Sequence, residues 1–330
     1  MAEQNLLDPE ALFYDKRARL HMPAQPYAPL FDTHTHLTQI RDLDPAVAVA
    51  RAALAGVRYM VCPVDPTDDA QDPSQVEAFF DEVCDRARAL LREVSGTGTQ
   101  AGADHALLPP EFLCDHIYII AGIHPYGAQE INERMGVLNK LLESPRCVGV
   151  GEIGLDLGPY NELDLTTQLE AFEIQLRLAH ERNVPVELHI RDAKDDASAT
   201  AHRAAFDLLE RQAPDPSLID LHCFTQGPEV MRPFAQMGTY IAFGGAATFK
   251  KSDDIRQALA ACPKDQILLE TDSPYMAPHP LRGLSCEPAM VAFTAELIAK
   301  TRAQVGDEPS KTYKQLLQNA LAFLRLPAPA

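Results

Sequence analysis

The amino-acid sequence predicts a (β/α)8 TIM barrel formed by a single domain, and three observations carry that expectation. Short apolar, β-branched runs alternate with longer stretches of helical spacing, as repeated βα units around a parallel sheet require. There are eight such runs, the number that closes a barrel, although the same periodicity also describes an open doubly wound sheet. Five of the eight end in a histidine or a carboxylate, and in a barrel of this kind the carboxyl ends of the strands open into the active-site mouth.

In chain order the runs are "PLFDTHTH" (29 to 36), "VRYMVCPV" (57 to 64), "HIYIIAGIHP" (116 to 125) and "CVGVGEIG" (147 to 154). They continue with "PVELHI" (185 to 190), "LIDLHCF" (218 to 224), "TYIAFGG" (239 to 245) and "QILLETD" (266 to 272). The helical intervals are well marked: in "DLTTQLEAFEIQLRLAHERN" the residues Leu169, Phe172, Leu176 and Ala179 share one face, with Asp164 at the start. Between the second and third runs lies an insertion, about 66–115, read as an extra helix and a mobile loop at 94–110 rich in Gly, Thr, Ala and Pro. Residues 1–28 form an N-terminal extension, 29–330 the barrel, and the tail after Cys286 predicts two closing helices.

A chain of 330 residues, 46% hydrophobic and 23% charged, buries a full core. Its balance of 29 basic and 47 acidic residues, 29 − 47 = −18, repels long polyanions, so any nucleic-acid substrate has to be gripped locally. Seven cysteines without a CxxC pair argue against a disulfide framework and a thiolate zinc site, and point to the reducing cytoplasm. The start "MAEQNLLDPEALFYDKRARL" lacks a hydrophobic segment, and no apolar run nears the roughly 18 residues of a membrane helix. Neither secretion nor membrane insertion is expected, and nothing indicates an obligate protein partner.

The chemistry gathers at the strand ends. His34 and His36 are two apart, so on a pleated strand they face one side and can share an ion, although an isolated HxH also fits two hydrogen-bonded strand-end residues. Four further runs end alike, in Glu152, His189, His222, and the pair Glu270 and Asp272. Four imidazoles and two carboxylates suit Zn, Mn, Fe, Co or Mg, and six ligands exceed the needs of one open catalytic ion, so two bridged divalent ions fit better. Cys223 follows His222 directly and is expected to point away into the core. His105, His116, His180 and His202 read as structural or solvated. His124 closes the third run before Pro125 and is either presented to the mouth or a satisfied core histidine. Arg191 shares the face of His189, where it can fork a phosphate or pair with an acid such as Asp192.

In that order "FDTHTHL", "AGIHP", "GEIGLD", "QLEAFEIQLRLAHERNVPVELHIRDA", "LHCF" and "ILLETDSPYMAP" resemble the TatD family of metal-dependent deoxyribonucleases, in the amidohydrolase superfamily, over roughly residues 29 to 325. The resemblance implies one ion on His34, His36, Glu152 and Asp272, and a second on Glu152, His189 and His222, with Glu152 as the bridge. It also implies that Glu270 and His124 assist. No lysine stands in "CVGVGEIG", which favours a glutamate-bridged centre over one bridged by a carbamylated lysine. The stretch "LRGLSCEP" keeps Arg282, Gly283, Glu287 and Pro288 but has Cys286 where the family usually has Asn. That departure, the insertion and the arm bear on the substrate more than on the metals.

A phosphodiesterase acting on DNA ends or single strands in the 3′-to-5′ sense is therefore expected, with Arg191 and Arg282 as phosphate contacts. Asp272 would take the proton of the attacking water, and His124 would serve the leaving oxygen. The same ions attack carbonyl carbon equally well in principle, so an amidohydrolase acting on an amide, lactone or other ester is the rival expectation.

Overall fold

The computed structural model describes residues 6–69, 72–96, 108–212 and 214–329; positions 97–107 of the predicted mobile loop, His105 among them, lie outside the described residues. Strands β1 (Leu30–Asp32), β2 (Val57–Val64), β3 (Ile117–Ala121), β4 (Cys147–Asp156), β5 (Val186–Arg191), β6 (Ile219–Leu221), β7 (Tyr240–Phe243) and β8 (Ile267–Leu269) make one sheet. They stand in sequence order, and every neighbouring pair is parallel. The barrel closes past the regular ends of β8 and β1: Thr33 N–H donates to Leu269 O at 3.0 Å, Asp272 N–H to His34 O at 3.0 Å, and His36 N–H to Ser273 O at 2.8 Å. The closing bonds thus run through the residues that carry the chemistry.

Helices α1 (Pro45–Leu54), α2 (Pro73–Gly96), α3 (Ile131–Leu141), α4 (Leu165–Arg182), α5 (Thr200–Gln212), α6 (Pro228–Met237), α7 (Asp253–Ala261) and α8 (Val291–Ala303) surround the sheet, and α9 (Pro309–Phe323) follows. With helices outside and packed side chains inside, β2 is buried at all eight positions, so it reads as a continuous apolar run without alternation. On α4 the Asp164 carboxylate accepts from Thr167 N–H at 3.0 Å, Asn183 in the left-handed region ends the helix, and Phe172, Leu176 and Ala179 face the barrel. The insertion is the helix α2, whose buried Phe80, Val83, Ala87 and Leu91 dock it in the outer layer, followed after the undescribed stretch by a 3-10 turn, Pro110–Asp115.

A second, inner cluster joins Phe31, Tyr59, Ile120, Ala242 and Leu268 of the strands to Leu317, Ala320, Leu321 and Phe323 of α9. Asn319 fixes this plug by donating to the carbonyls of Lys264 and Ile267 at 2.9 and 2.8 Å. α9 therefore stoppers the amino-terminal end of the barrel.

Five ladders end earlier than the apolar runs, at Asp32, Ala121, Leu221, Phe243 and Leu269. Amides beyond three of them bond to side chains of neighbouring strand ends: Thr271 N–H to Asp32 Oδ1 at 2.8 Å, Cys223 N–H to Glu270 Oε1 at 2.7 Å, and His124 N–H to Asp65 Oδ2 at 3.0 Å. Acids at the strand ends compete for those amides and shorten the regular ladder.

Candidate metal centre

Six of the predicted residues converge at the carboxyl end of the barrel. His34 and His36 aim their Nε2 atoms at one point, 3.0 Å apart, with Asp272 Oδ1 3.8 and 3.5 Å away. Glu152 lies between two groups of rings. Its Oε2 faces His34 and His36 at 3.8 and 3.6 Å, while its Oε1 faces His189 Nδ1 at 3.5 Å and His222 Nε2 at 3.4 Å. Each oxygen of one carboxylate thus serves a different pair of imidazoles.

Behind three of the rings stands a carboxylate on the far nitrogen. Glu187 accepts from His34 Nδ1 at 2.6 Å, Glu270 from His222 Nδ1 at 3.0 Å, and Asp156 from His189 Nε2 at 2.9 Å. Such partners fix the tautomer, leaving a lone pair on the nitrogen that faces the centre, and they raise its basicity. Glu270, expected among the catalytic groups, is wholly buried, and among the described residues its carboxylate is hydrogen-bonded to His222 and the Cys223 amide. Gly151 is required by the same packing: a Cβ there would lie 2.8 Å from the Glu187 Cβ.

The electrostatics fit a cation. Burial pushes Glu152 up, but the surrounding imidazoles outweigh it and hold the carboxyl well below its usual range. Burial and the neighbouring His222 push His34 well down, which keeps its lone pair free. For His222 burial acts downward, yet Glu270 and Glu152 overcome it and raise the ring well above its ordinary value. His36 is raised likewise, Asp272 and Glu152 outweighing burial. Converging imidazole nitrogens, the buried Glu152 and partly buried Asp272 carboxylates, and a carboxylate behind three of the rings make a donor set that matches divalent metals of the imidazole-binding kind.

Asp272 and Cys223 both hold positive φ, +57° and +47°, a conformation that costs a non-glycine residue free energy and recurs at functional sites. Here the expectation for Cys223 is corrected. The ladder ends at Leu221, strand alternation no longer applies, and the thiol Sγ comes within 3.5 Å of Asp272 Oδ2 instead of turning into the core.

His124 sits edge-on to His189 with ring centroids 4.4 Å apart, and its Nδ1 accepts from Tyr126 N–H at 3.2 Å. Burial and His189 lower it to about 3. It is a neutral ring carrying its proton on Nε2, suited to donate a hydrogen bond and not to surrender a proton as imidazolium. Arg191 is at the rim, its guanidinium 5.9 Å from the Tyr160 ring centroid. It makes no pair with Asp192, which caps α5 through Ala201 N–H at 2.8 Å and holds His202 Nδ1 at 2.6 Å. Arg282 is exposed on the loop after β8, stacked 4.3 Å over Phe249. His116 stacks on Phe112 at 3.7 Å, as a structural histidine should. Asp32 is a buried anchor, its carboxylate receiving Thr271 N–H and Oγ1–H at 2.8 and 2.7 Å.

Sequence reasoning missed Glu187, Asp156 and Asp220. Glu187 and Asp220 precede His189 and His222 by two and share their faces, a signal the strand period carries. Asp220 is buried with neither oxygen hydrogen-bonded among the described residues, and burial raises its carboxyl well above the ordinary value, which disfavours its charged form.

Eight parallel strands with a six-residue His and carboxylate cage at their carboxyl ends define a metal-dependent hydrolase of the barrel type. The chain belongs to the TatD related DNase family, whose model matches residues 31–325. The metal-dependent hydrolase YabD of Bacillus subtilis is 30% identical over 281 residues, 84% of this chain and 93% of YabD. A 3′-5′ ssDNA/RNA exonuclease TatD of Erwinia tasmaniensis is 33% identical over 257 residues, 74% of this chain and 93% of the relative. Among solved structures the TatD homologue YjjV of Escherichia coli superposes with a TM-score of 0.65 at 22% identity, covering 91% of this chain and all of that one. A lactonase from Listeria monocytogenes shares the fold at a TM-score of 0.56 and 13% identity.

Proposed function

We propose that this chain removes nucleotides from the 3′ ends of single strands by hydrolysing phosphodiester bonds, with two divalent cations as cofactors. The observation that carries the reading is the division of the Glu152 carboxylate: Oε2 toward His34 and His36, Oε1 toward His189 and His222, all at 3.4 to 3.8 Å. His34, His36, Glu152 and Asp272 would hold one ion, and Glu152, His189 and His222 the other, from among Zn, Mn, Fe, Co or Mg. When bound, such ions acidify water and neutralise charge on a phosphoryl oxygen.

The remaining work falls to the chain. Asp272, set by its left-handed backbone, takes the proton of the attacking water. His124 donates an Nε2–H hydrogen bond to the departing or non-bridging oxygen. Glu187, Glu270 and Asp156 keep the three rings in one tautomer. Arg191 and Arg282 meet phosphates at the rim and beyond it. The names carried by the Erwinia relatives, single-stranded DNA and RNA exonucleases, favour this substrate over an acyl one. The seven cysteines are free thiols, in keeping with a reducing cytoplasm.

Elemental analysis of the purified protein, with product analysis on labelled oligonucleotides, tests the reading. The expected products are 5′-mononucleotides, released from the 3′ end and abolished by a chelator. Turnover confined to lactones, amides or carboxylic esters would replace it with the amidohydrolase alternative.

A further inference from the structure

The N-terminal extension contributes nothing to the cage, yet it is firmly seated. Arg51 of α1 is buried and forks the Glu287 carboxylate at 2.6 and 2.7 Å, while its other N–H groups hold the carbonyls of Leu6 and Leu12. Phe13 packs edge-on against Phe293 of α8, centroids 5.0 Å apart. From there the chain folds into a tight hairpin: His21 N–H donates to Phe13 O at 2.8 Å and Asp15 N–H to Arg19 O at 3.0 Å. The Asp15 carboxylate accepts from Arg17 and Arg19 amides at 2.8 and 3.0 Å and fixes the tip.

That tip reaches the mouth side of the barrel. Gly283, on the loop after β8, has a φ of +90°, and a Cβ there would lie 3.0 Å from Lys16 Nζ. The adjacent Arg282 stacks on Phe249, which Lys250 and Lys251 follow on the loop after β7, and His279 N–H ties the two loops by donating to Thr248 Oγ1 at 2.7 Å. Lys16, Arg17, Lys250, Lys251 and Arg282 are all exposed, and none pairs with a carboxylate among the described residues. Other arginines pair with acids, the exposed Arg232 with Glu229 and the half-buried Arg88 and Arg134 with Asp115 and Glu130. Five unpaired cations from three segments therefore stand together on a chain of net charge −18. The β8 loop links them to the cage, because it also carries Tyr275, exposed and edge-on to His36 with centroids 6.0 Å apart.

We propose that the hairpin tip and these two loops form a phosphate track for single-stranded nucleic acid, holding the strand upstream of the 3′ residue engaged by the cage. Lys16, Arg17, Lys250, Lys251 and Arg282 neutralise successive backbone phosphates, and Tyr275 stacks on a base near the cage. The track supplies the local grip that the acidic surface denies, and it rests on the exonuclease reading for its direction only.

The test is binding of a fluorescent single strand of about 20 nucleotides with nuclease-resistant phosphorothioate linkages, measured by anisotropy on the metal-loaded protein across a salt series. Lys16→Glu with Arg17→Glu removes two contacts. The slope of log affinity against log salt should flatten by about 1.4, and affinity near 0.1 M salt should fall on the order of tenfold. Lys250→Glu with Lys251→Glu should do the same. Lys264→Glu with Lys314→Glu, an equal charge change at the stoppered end, should leave the slope intact. Equal effects from all three pairs, or no strand binding by the wild type, would overturn the track. Selective loss in the first two pairs, together with a wild type that cleaves no oligonucleotide, would keep the track and remove the exonuclease reading.

Discussion

Replacing Glu187 by Gln isolates what a carboxylate behind a ligating ring contributes. Glu187 Oε1 lies 2.6 Å from His34 Nδ1, and both side chains are buried. Glutamine keeps the volume and an acceptor oxygen, so the ring keeps its tautomer and only the charge is lost. A hydrogen bond to a charged group is worth about 1.5–3 kcal/mol against roughly 0.5–1.5 kcal/mol for a neutral one, a difference of about 1.3 kcal/mol between the midpoints, or close to tenfold in metal affinity. Burial drives the Glu187 carboxyl well above its ordinary range, so the metal-free protein gains little from that charge. The expected result is a split: competition against a graded chelator shows about tenfold weaker loading of one ion, while the metal-free melting temperature stays level or rises. Unchanged affinity for both ions, or a metal-free protein destabilised as much as the holoprotein, would refute the assignment.

Asp272→Asn, loaded with metal and verified by elemental analysis, should lose on the order of 10²–10⁴ in kcat on an oligonucleotide, and full activity would remove Asp272 as the base. Metal affinity should fall as pH drops through the histidine values, which for His36 and His222 lie above the ordinary one. His36 and His222 are raised, so protons occupy ring nitrogens that an ion needs bare, and proton release on loading, read in weak buffer, checks the sign. Arg51→Ala should cost about 3–5 kcal/mol by stranding the buried Glu287, and limited proteolysis should then clip the N-terminal arm first. Asp156 is held low, its bond to His189 outweighing burial, so its contribution is complete above about pH 4 and is lost as pH falls through the lower folded value. Acid melting of Asp156→Asn should accordingly be flatter in the metal-free protein.

The barrel was legible because β-branched runs recur eight times, and the cage because each of its members closes a run. What lay hidden had local causes. Cys223 was misplaced because strand alternation fails once the ladder stops at Leu221 and the backbone turns left-handed. Gln168 and Gln175 look like the wet side of α4, yet both are buried. Gln168 Oε1 accepts Asp156 N–H at 2.8 Å and Gln175 Oε1 accepts Ile123 N–H at 2.7 Å, capping strand ends that lack a ladder partner. His202, expected to be structural or solvated, is buried and structural, and its partnership with Asp192 depends on a turn between β5 and α5 that composition does not encode. Arm docking rests on Arg51, an arginine in a helix of small apolar residues whose partners are 45, 39 and 236 positions away.

The α9 stopper has a kinetic corollary. With the floor sealed by Leu317, Leu321 and Phe323, the vestibule is a cul-de-sac, and no polymer can be threaded through it. Whatever is cut must back out by the doorway through which it came, and each released fragment competes with the next incoming terminus.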